Sequence, residues 1–123
     1  KYNLRKIIHF TGYKNPEEYY KRSGIFVLSS YFEGLPNVLI EAINYGLPII
    51  SSDCFSGPRE ILKNNKYGSL YKVGDYKDLA NKIIIANQNY YKFSKKIKLA
   101  KKDLNRFSFN LQCKKYLDTI NAL

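Results

Sequence analysis

Methionine and tryptophan are absent from these 123 residues, histidine occurs once and cysteine twice. His9 stands alone, and Cys54 and Cys113 lie in unrelated surroundings, so no pair has a metal-ligand spacing. Reduced thiols in a cytosolic protein are the expected state. Without Met there is no initiator, and the chain reads as a fragment with something upstream missing. Long apolar runs are also lacking: the longest reach about four residues, far short of the ~20 needed to span a bilayer. The opening Lys1-Tyr2-Asn3-Leu4-Arg5-Lys6 has no signal-peptide character. Acids are few, 10 against 21 Lys plus Arg, and they are scattered. Asp75 and Asp78 suit a helix cap better than a divalent ion, so the expected metal content is none.

The chain does hold 45% hydrophobic residues and a net charge of +11. That composition suits one domain over residues 1–123, with C-terminal helices at about 90–122. Residues 90–115 carry nine basic side chains against one acid, Asp103. This basic third favours anionic neighbours. The ordinary interpretation is a solvated lysine-rich helix; a peripheral contact with an anionic membrane through residues 92–102 is the functional alternative. Twelve tyrosines fall mostly at helix-face or strand positions, which points to packing, and no nucleic-acid partner is expected.

Four apolar runs read as strands: Ile7-Ile8-His9-Phe10, Ile25-Phe26-Val27-Leu28, Pro48-Ile49-Ile50-Ser51 and Ser69-Leu70-Tyr71. Nearly unbroken apolar runs are expected of parallel strands covered on both faces. Between them lie helix signals. Asn15-Pro16-Glu17-Glu18 offers a cap, a proline at the first position and acids in the first turn. Gly46 can end a second helix, Gly57-Pro58-Arg59-Glu60 opens a third, and Asp75 can cap a fourth running to about Ala86. Tyr90, Phe93, Ile97, Ala100 and Leu104 form one stripe of a long helix, and Cys113, Tyr116, Leu117 and Ile120 one face of a last. The fold class is α/β: a three-layer, Rossmann-like parallel sheet with flanking helices. Ligands of such sheets bind at the carboxyl ends of the strands.

The most informative run lies there. Glu33 follows a strand, and Glu41 stands eight positions on, in the early turns of the next helix. Asn37, Glu41 and Asn44 make one polar stripe on that otherwise apolar helix, a stripe that faces either water or a ligand. Ser29, Ser30 and Gly34 supply small groups where the sheet opens, and the free amides of the helix start suit phosphate oxygens. A carboxylate at Glu41 would repel phosphate, so it suits sugar hydroxyls.

The run Glu33-Gly34-Leu35-Pro36-Asn37…Glu41-Ala42…Gly46-Leu47-Pro48-Ile49 resembles the two-glutamate motif of retaining, family 4-type (group 1) glycosyltransferases of the GT-B architecture. The likeness continues through Ser52-Asp53-Cys54…Ser56-Gly57-Pro58-Arg59-Glu60-Ile61, Tyr67-Gly68…Val73-Gly74-Asp75 and Arg106-Phe107-Ser108, covering roughly residues 7–120. One pair of glutamates at this spacing is a weak signal; the ordered series is a strong one. The resemblance implies the C-terminal, donor-binding half of a GT-B enzyme. Glu33 would be the catalytic residue on the transferred sugar and Glu41 would bind the ribose hydroxyls. Ser30, Gly34, Leu35, Pro36, Asn37 and Val38 would line the donor, with Ser56, Gly57 and Arg59 across the same cleft. It also implies a nucleoside-diphosphate sugar as donor, with a UDP-sugar favoured, no cofactor, and transfer to a hydroxyl with retention. The setting would be surface polysaccharide or glycan synthesis in the cytoplasm, at the inner face of the membrane.

The sequence departs from the family pattern in lacking the Arg and Lys that hold the diphosphate and the N-terminal acceptor-binding domain. The fragment is therefore expected to bind nucleotide weakly and not to turn over. A non-catalytic basic interaction module on the same scaffold is the alternative. Of the remaining residues, His9 reads as structural, Cys54 as packing, and Glu60 either as a cap of its own helix or a donor contact.

Overall fold

Three of the four apolar runs become strands. The structure, a computed structural model, describes residues 4–122. Its elements are α1 (Glu17–Arg22), β1 (Phe26–Leu28), α2 (Asn37–Asn44), β2 (Ile49–Ser52), α3 (Gly57–Leu62), β3 (Ser69–Tyr71), α4 (Tyr76–Gln88), α5 (Tyr90–Asp103), a 3-10 turn (Leu104–Phe107) and α6 (Phe109–Asn121). The strands are parallel in the order β1-β2-β3, with Phe26 beside Ile49 and Ile50 beside Ser69.

Side-chain alternation sorts the layers. Ile49 and Leu70 enter a core with Leu39, Ala42 and Ile43 of α2 and with Ile61 and Leu62 of α3. Their neighbours Ile50 and Tyr71 face the other way, against Leu79 and Ala86 of α4. Helix α5 serves both sides, with Phe93 in the α4 layer and Ile97 and Ala100 in the α2–α3 layer. Each fully buried Leu or Ile here contributes about 2 kcal/mol of transfer free energy.

The helix punctuation works as chemistry. Asn15 Oδ1 accepts the Glu17 N–H at 3.1 Å, and Pro16 has helical angles (φ −73°, ψ −15°), its missing donor being unneeded there. Asp75 Oδ1 accepts the Asp78 N–H at 2.9 Å. Gly46, with φ +81°, takes the left-handed position after α2.

Residues 7–10 depart from expectation. The Ile7 and Ile8 amides turn back to the Leu4 carbonyl (2.9 and 2.8 Å), and Ile7 and Phe10 are 73% and 97% exposed. A parallel strand needs a paired neighbour and cover on both faces, and no described element covers these side chains, so β1 forms the edge. Helix α6 forms, but Tyr116, Leu117 and Ile120 on its apolar face are exposed.

Candidate functional site

The loops leaving β1 and β2 are locked together before either meets a ligand. Ser52 is buried at the end of β2, and its hydroxyl donates to the Ser30 carbonyl at 2.6 Å. The Gly57 N–H donates to the Gly34 carbonyl at 2.8 Å. Gly57 itself is buried. A Cβ there would lie 2.1 Å from Gly34 O and 2.4 Å from Pro36 Cδ, so the crossing of the loops requires glycine. Around Gly34 the space is open. Pro36 is buried, while Leu35, Asn37 and Val38 are exposed at the start of α2. The first amides of that helix have no helical acceptors and carry the positive end of its dipole.

Each of the two glutamates is held by one hydroxyl. Ser30 Oγ donates to Glu33 Oε1 at 2.6 Å, and Glu33 is half-buried. The Tyr20 hydroxyl donates to Glu41 Oε2 at 2.9 Å. Tyr20 is a rigid support: it is buried, stacked on Tyr45 at 5.1 Å and tilted against Phe26 at 5.8 Å. Among the described residues no donor takes the second oxygen of either carboxylate, Glu33 Oε2 or Glu41 Oε1. Each carboxylate is thus oriented by one hydroxyl and has a second oxygen free to accept; Glu33 precedes α2 in the chain and Glu41 lies within it.

Arg59 stands in α3, and its Nε and one terminal nitrogen donate to the two oxygens of Asp53 (2.6 and 2.5 Å). This bidentate pair holds the Asp53 carboxyl below its usual range. Asp53, Cys54, Phe55, Ser56 and Arg59 line one cavity. Ser56, between them, has φ +82° and ψ −115°, a conformation that L residues rarely adopt and that concentrates strain at the mouth of the site. Glu60 is exposed, and α3 has no side-chain cap hydrogen bond.

Tyr20 and Asp53 are the partners that sequence reasoning did not assign. Tyr20 is 21 residues from Glu41, and only the packing of α1 on α2 joins them. Asp53 was visible as a motif residue, but its pairing with Arg59 depends on how α3 starts. The lysine-rich stretch is partly absorbed by the fold. Lys96 Nζ donates to the Asn65 and Gly68 carbonyls, and Lys101 Nζ to the Asn44 carbonyl at the end of α2. Among the described residues no three His, Cys, Asp or Glu side chains are grouped to hold a metal ion. Both cysteines are free.

Burial, then the Glu41 hydrogen bond, push the Tyr20 hydroxyl up to about 12. Its folded value exceeds its unfolded one, so its contribution to stability is present below about pH 10 and is lost as pH rises towards 12. Tyr20→Phe should flatten that alkaline loss in melting experiments, and the wild type should keep one late tyrosinate in its absorbance titration. If the mutant's alkaline profile is identical to that of the wild type, burial and the Glu41 contact do not hold the Tyr20 hydroxyl protonated beyond its unfolded range.

Residues 1–103 match the family described as Glycosyl transferases group 1. The chain belongs to that family. Among its relatives, the amylovoran biosynthesis glycosyltransferase AmsD of Erwinia amylovora is 46% identical over 76 residues, covering 62% of this chain and 20% of that one. The solved structure of the lipopolysaccharide outer core galactosyltransferase WaaB, in its apo form, superposes with TM-score 0.68 at 27% identity, covering 97% of this chain and 34% of that one. HepE of Anabaena, solved in complex with UDP, gives TM-score 0.76 at 20% identity over 86% of this chain and 29% of that one, a likeness of fold. The structural neighbours are GT-B glycosyltransferases, and the parallel sheet with flanking helices is part of that architecture. The chain spans about a fifth of the length of the curated relatives it matches.

Proposed function

We propose that this chain is the donor-binding part of a retaining glycosyltransferase that takes a sugar from a nucleoside-diphosphate sugar, UDP-linked, to an acceptor hydroxyl in surface-polysaccharide assembly. The observation that carries the reading is the pair of glutamates, each fixed by one hydroxyl and open at the other oxygen, one preceding α2 and one within it. Glu41 accepts from the ribose hydroxyls, and Glu33 contacts the transferred sugar. The amides at Asn37 and Val38 receive the diphosphate, as helix N-termini do. The net charge of +11 draws an anionic donor towards the chain. Departure of the diphosphate leaves positive charge on the anomeric carbon, which a fixed carboxylate stabilises with little reorganisation. The acceptor is held by protein beyond these residues, and the chain alone does not turn over. The UDP in the HepE complex and the amylovoran and lipopolysaccharide assignments of AmsD and WaaB support the donor and setting.

Titration of the chain with UDP, GDP and ADP, followed by protein NMR, tests this. UDP should shift residues 29–41 and 52–57, and Glu41→Ala should weaken it at least about tenfold, since charge-assisted hydrogen bonds contribute about 1.5–3 kcal/mol each. Affinity unchanged by that substitution would favour a basic interaction module instead.

A further inference from the structure

The lysines of α5 fall into two sets. Lys96 and Lys101 are bonded to backbone carbonyls of the fold. Lys92, Lys95, Lys98 and Lys102 are exposed, and among the described residues none of them has a hydrogen bond or an ion pair. Tyr91, Lys95, Lys98 and Lys102 stand at i, i+4, i+7 and i+11, and Lys92 and Leu99 follow Tyr91 and Lys98 directly. All six therefore share the outer face of the helix, opposite buried Phe93, Ile97 and Ala100. The one acid of α5, Asp103, is taken by Lys63 and Arg106 at 2.8 and 3.0 Å. Like charges three and four positions apart disfavour the helix that carries them. An anionic surface laid on this face removes that cost.

The two apolar side chains decide which anion fits. Tyr91 and Leu99 are 72% and 52% exposed among the lysines, and Lys95 Nζ lies 4.6 Å from the centre of the Tyr91 ring. A nucleic-acid backbone would pair with the ammonium groups and leave Leu99 against phosphate and water. The interface of an anionic bilayer offers both halves of the match. Headgroups meet the lysines, and the acyl boundary takes leucine and the amphipathic ring of tyrosine. Phe93, Ile97 and Ala100 are held in the core, so the helix rests on the surface without turning its apolar stripe into lipid. We propose that the outer face of α5 docks on an anionic lipid surface, with Lys92, Lys95, Lys98 and Lys102 on headgroups and Tyr91 and Leu99 at the acyl boundary.

This surface is distinct from the candidate donor site. Lys101 Nζ anchors α5 to the carbonyl of Asn44, the last residue of α2, at 2.7 Å. The amides assigned to the diphosphate belong to the first residues of that helix. Docking does not rest on the donor reading, and lipid binding and UDP binding are measured separately.

The test is co-sedimentation of the chain with phosphatidylcholine vesicles, pure or containing about one-third phosphatidylglycerol. The chain should bind the anionic vesicles only, and salt should weaken the binding by screening. Each lysine near such a surface contributes about fivefold. Changing Lys92, Lys95, Lys98 and Lys102 together to Gln should therefore lower partitioning at least about fiftyfold, and Lys95→Gln alone about fivefold. Leu99→Ser, which leaves the charge unchanged, should lower it about fivefold. Lys6, Lys14, Lys72 and Lys77 changed together to Gln give the same net charge and should keep most of the binding. All of these positions are exposed, and unchanged circular dichroism will show that the fold persists. No binding to anionic vesicles overturns the proposal, as does a control that loses as much as the α5 variant. Leu99→Ser binding lipid as tightly as the wild type, with an oligonucleotide bound equally well, would assign the face to nucleic acid and overturn it too.

Discussion

Gly57→Ala should lower stability by about 3 kcal/mol, the upper end of what overpacking costs, and lower the melting temperature by roughly 10–20 °C. The methyl group would stand 2.1 Å from Gly34 O and 2.4 Å from Pro36 Cδ. Both neighbours belong to a loop that is itself pinned, since the Gly34 carbonyl accepts from the Gly57 N–H and the Ser30 carbonyl from Ser52 Oγ. No side chain can swing aside to relieve the contact, so backbone must move and the 2.8 Å hydrogen bond stretches. Gly34→Ala makes the control: open space surrounds that position and its φ is not positive. Alanine there should leave stability unchanged or raise it by about 0.5 kcal/mol through the unfolded chain. Thermal melts of the two variants side by side decide the matter. A Gly57→Ala protein that melts within a few degrees of the wild type would mean that the loops do not cross this closely.

That contrast shows where sequence was readable. The α/β class, the three parallel strands and the caps at Asn15, Gly46 and Asp75 follow from local rules, because period, punctuation and capping are set by residues a few positions apart. The segment at residues 7–10 shows the limit of those rules. Ile7-Ile8-His9-Phe10 has the composition of a buried strand, yet a strand is made by its neighbours, and here none of the described residues supplies them. The candidate site was legible in part for a related reason. Glu33, Glu41 and the helix start between them lie in one continuous run, so spacing reveals them. The hydroxyl that aims Glu41 comes from Tyr20 of another helix, and the acid that aims Arg59 depends on the turn at Ser56; such pairings come from tertiary packing. Both glycines of the crossing read alike in sequence, and only packing separates Gly57, which the fold requires, from Gly34, which it does not.

Glu33→Gln should slow sugar transfer by the full-length enzyme by about 10²–10³, the loss seen when one preorganised electrostatic contact is removed, with UDP affinity changed little. The substitution isolates charge. Glutamine keeps the length of the side chain and an oxygen that can still accept from Ser30 Oγ, now 2.6 Å from Glu33 Oε1. In the proposed arrangement, what disappears is the negative charge beside the anomeric carbon as the diphosphate departs. Ground-state binding of the nucleotide rests on Glu41 and the start of α2 in the proposed arrangement, so kcat should fall while donor affinity holds. Ser30→Ala perturbs the other property, direction: the carboxylate stays charged but is released to rotate, and a loss of roughly tenfold in kcat is expected for a misaimed group of this kind. Single-turnover transfer rates for the two variants, beside UDP titrations, separate charge from orientation. A Glu33→Gln enzyme as fast as the wild type would remove Glu33 from the chemistry and leave it as a loop anchor for Ser30; equal losses in both variants would mean that the hydroxyl contact, not the charge, is what this carboxylate supplies.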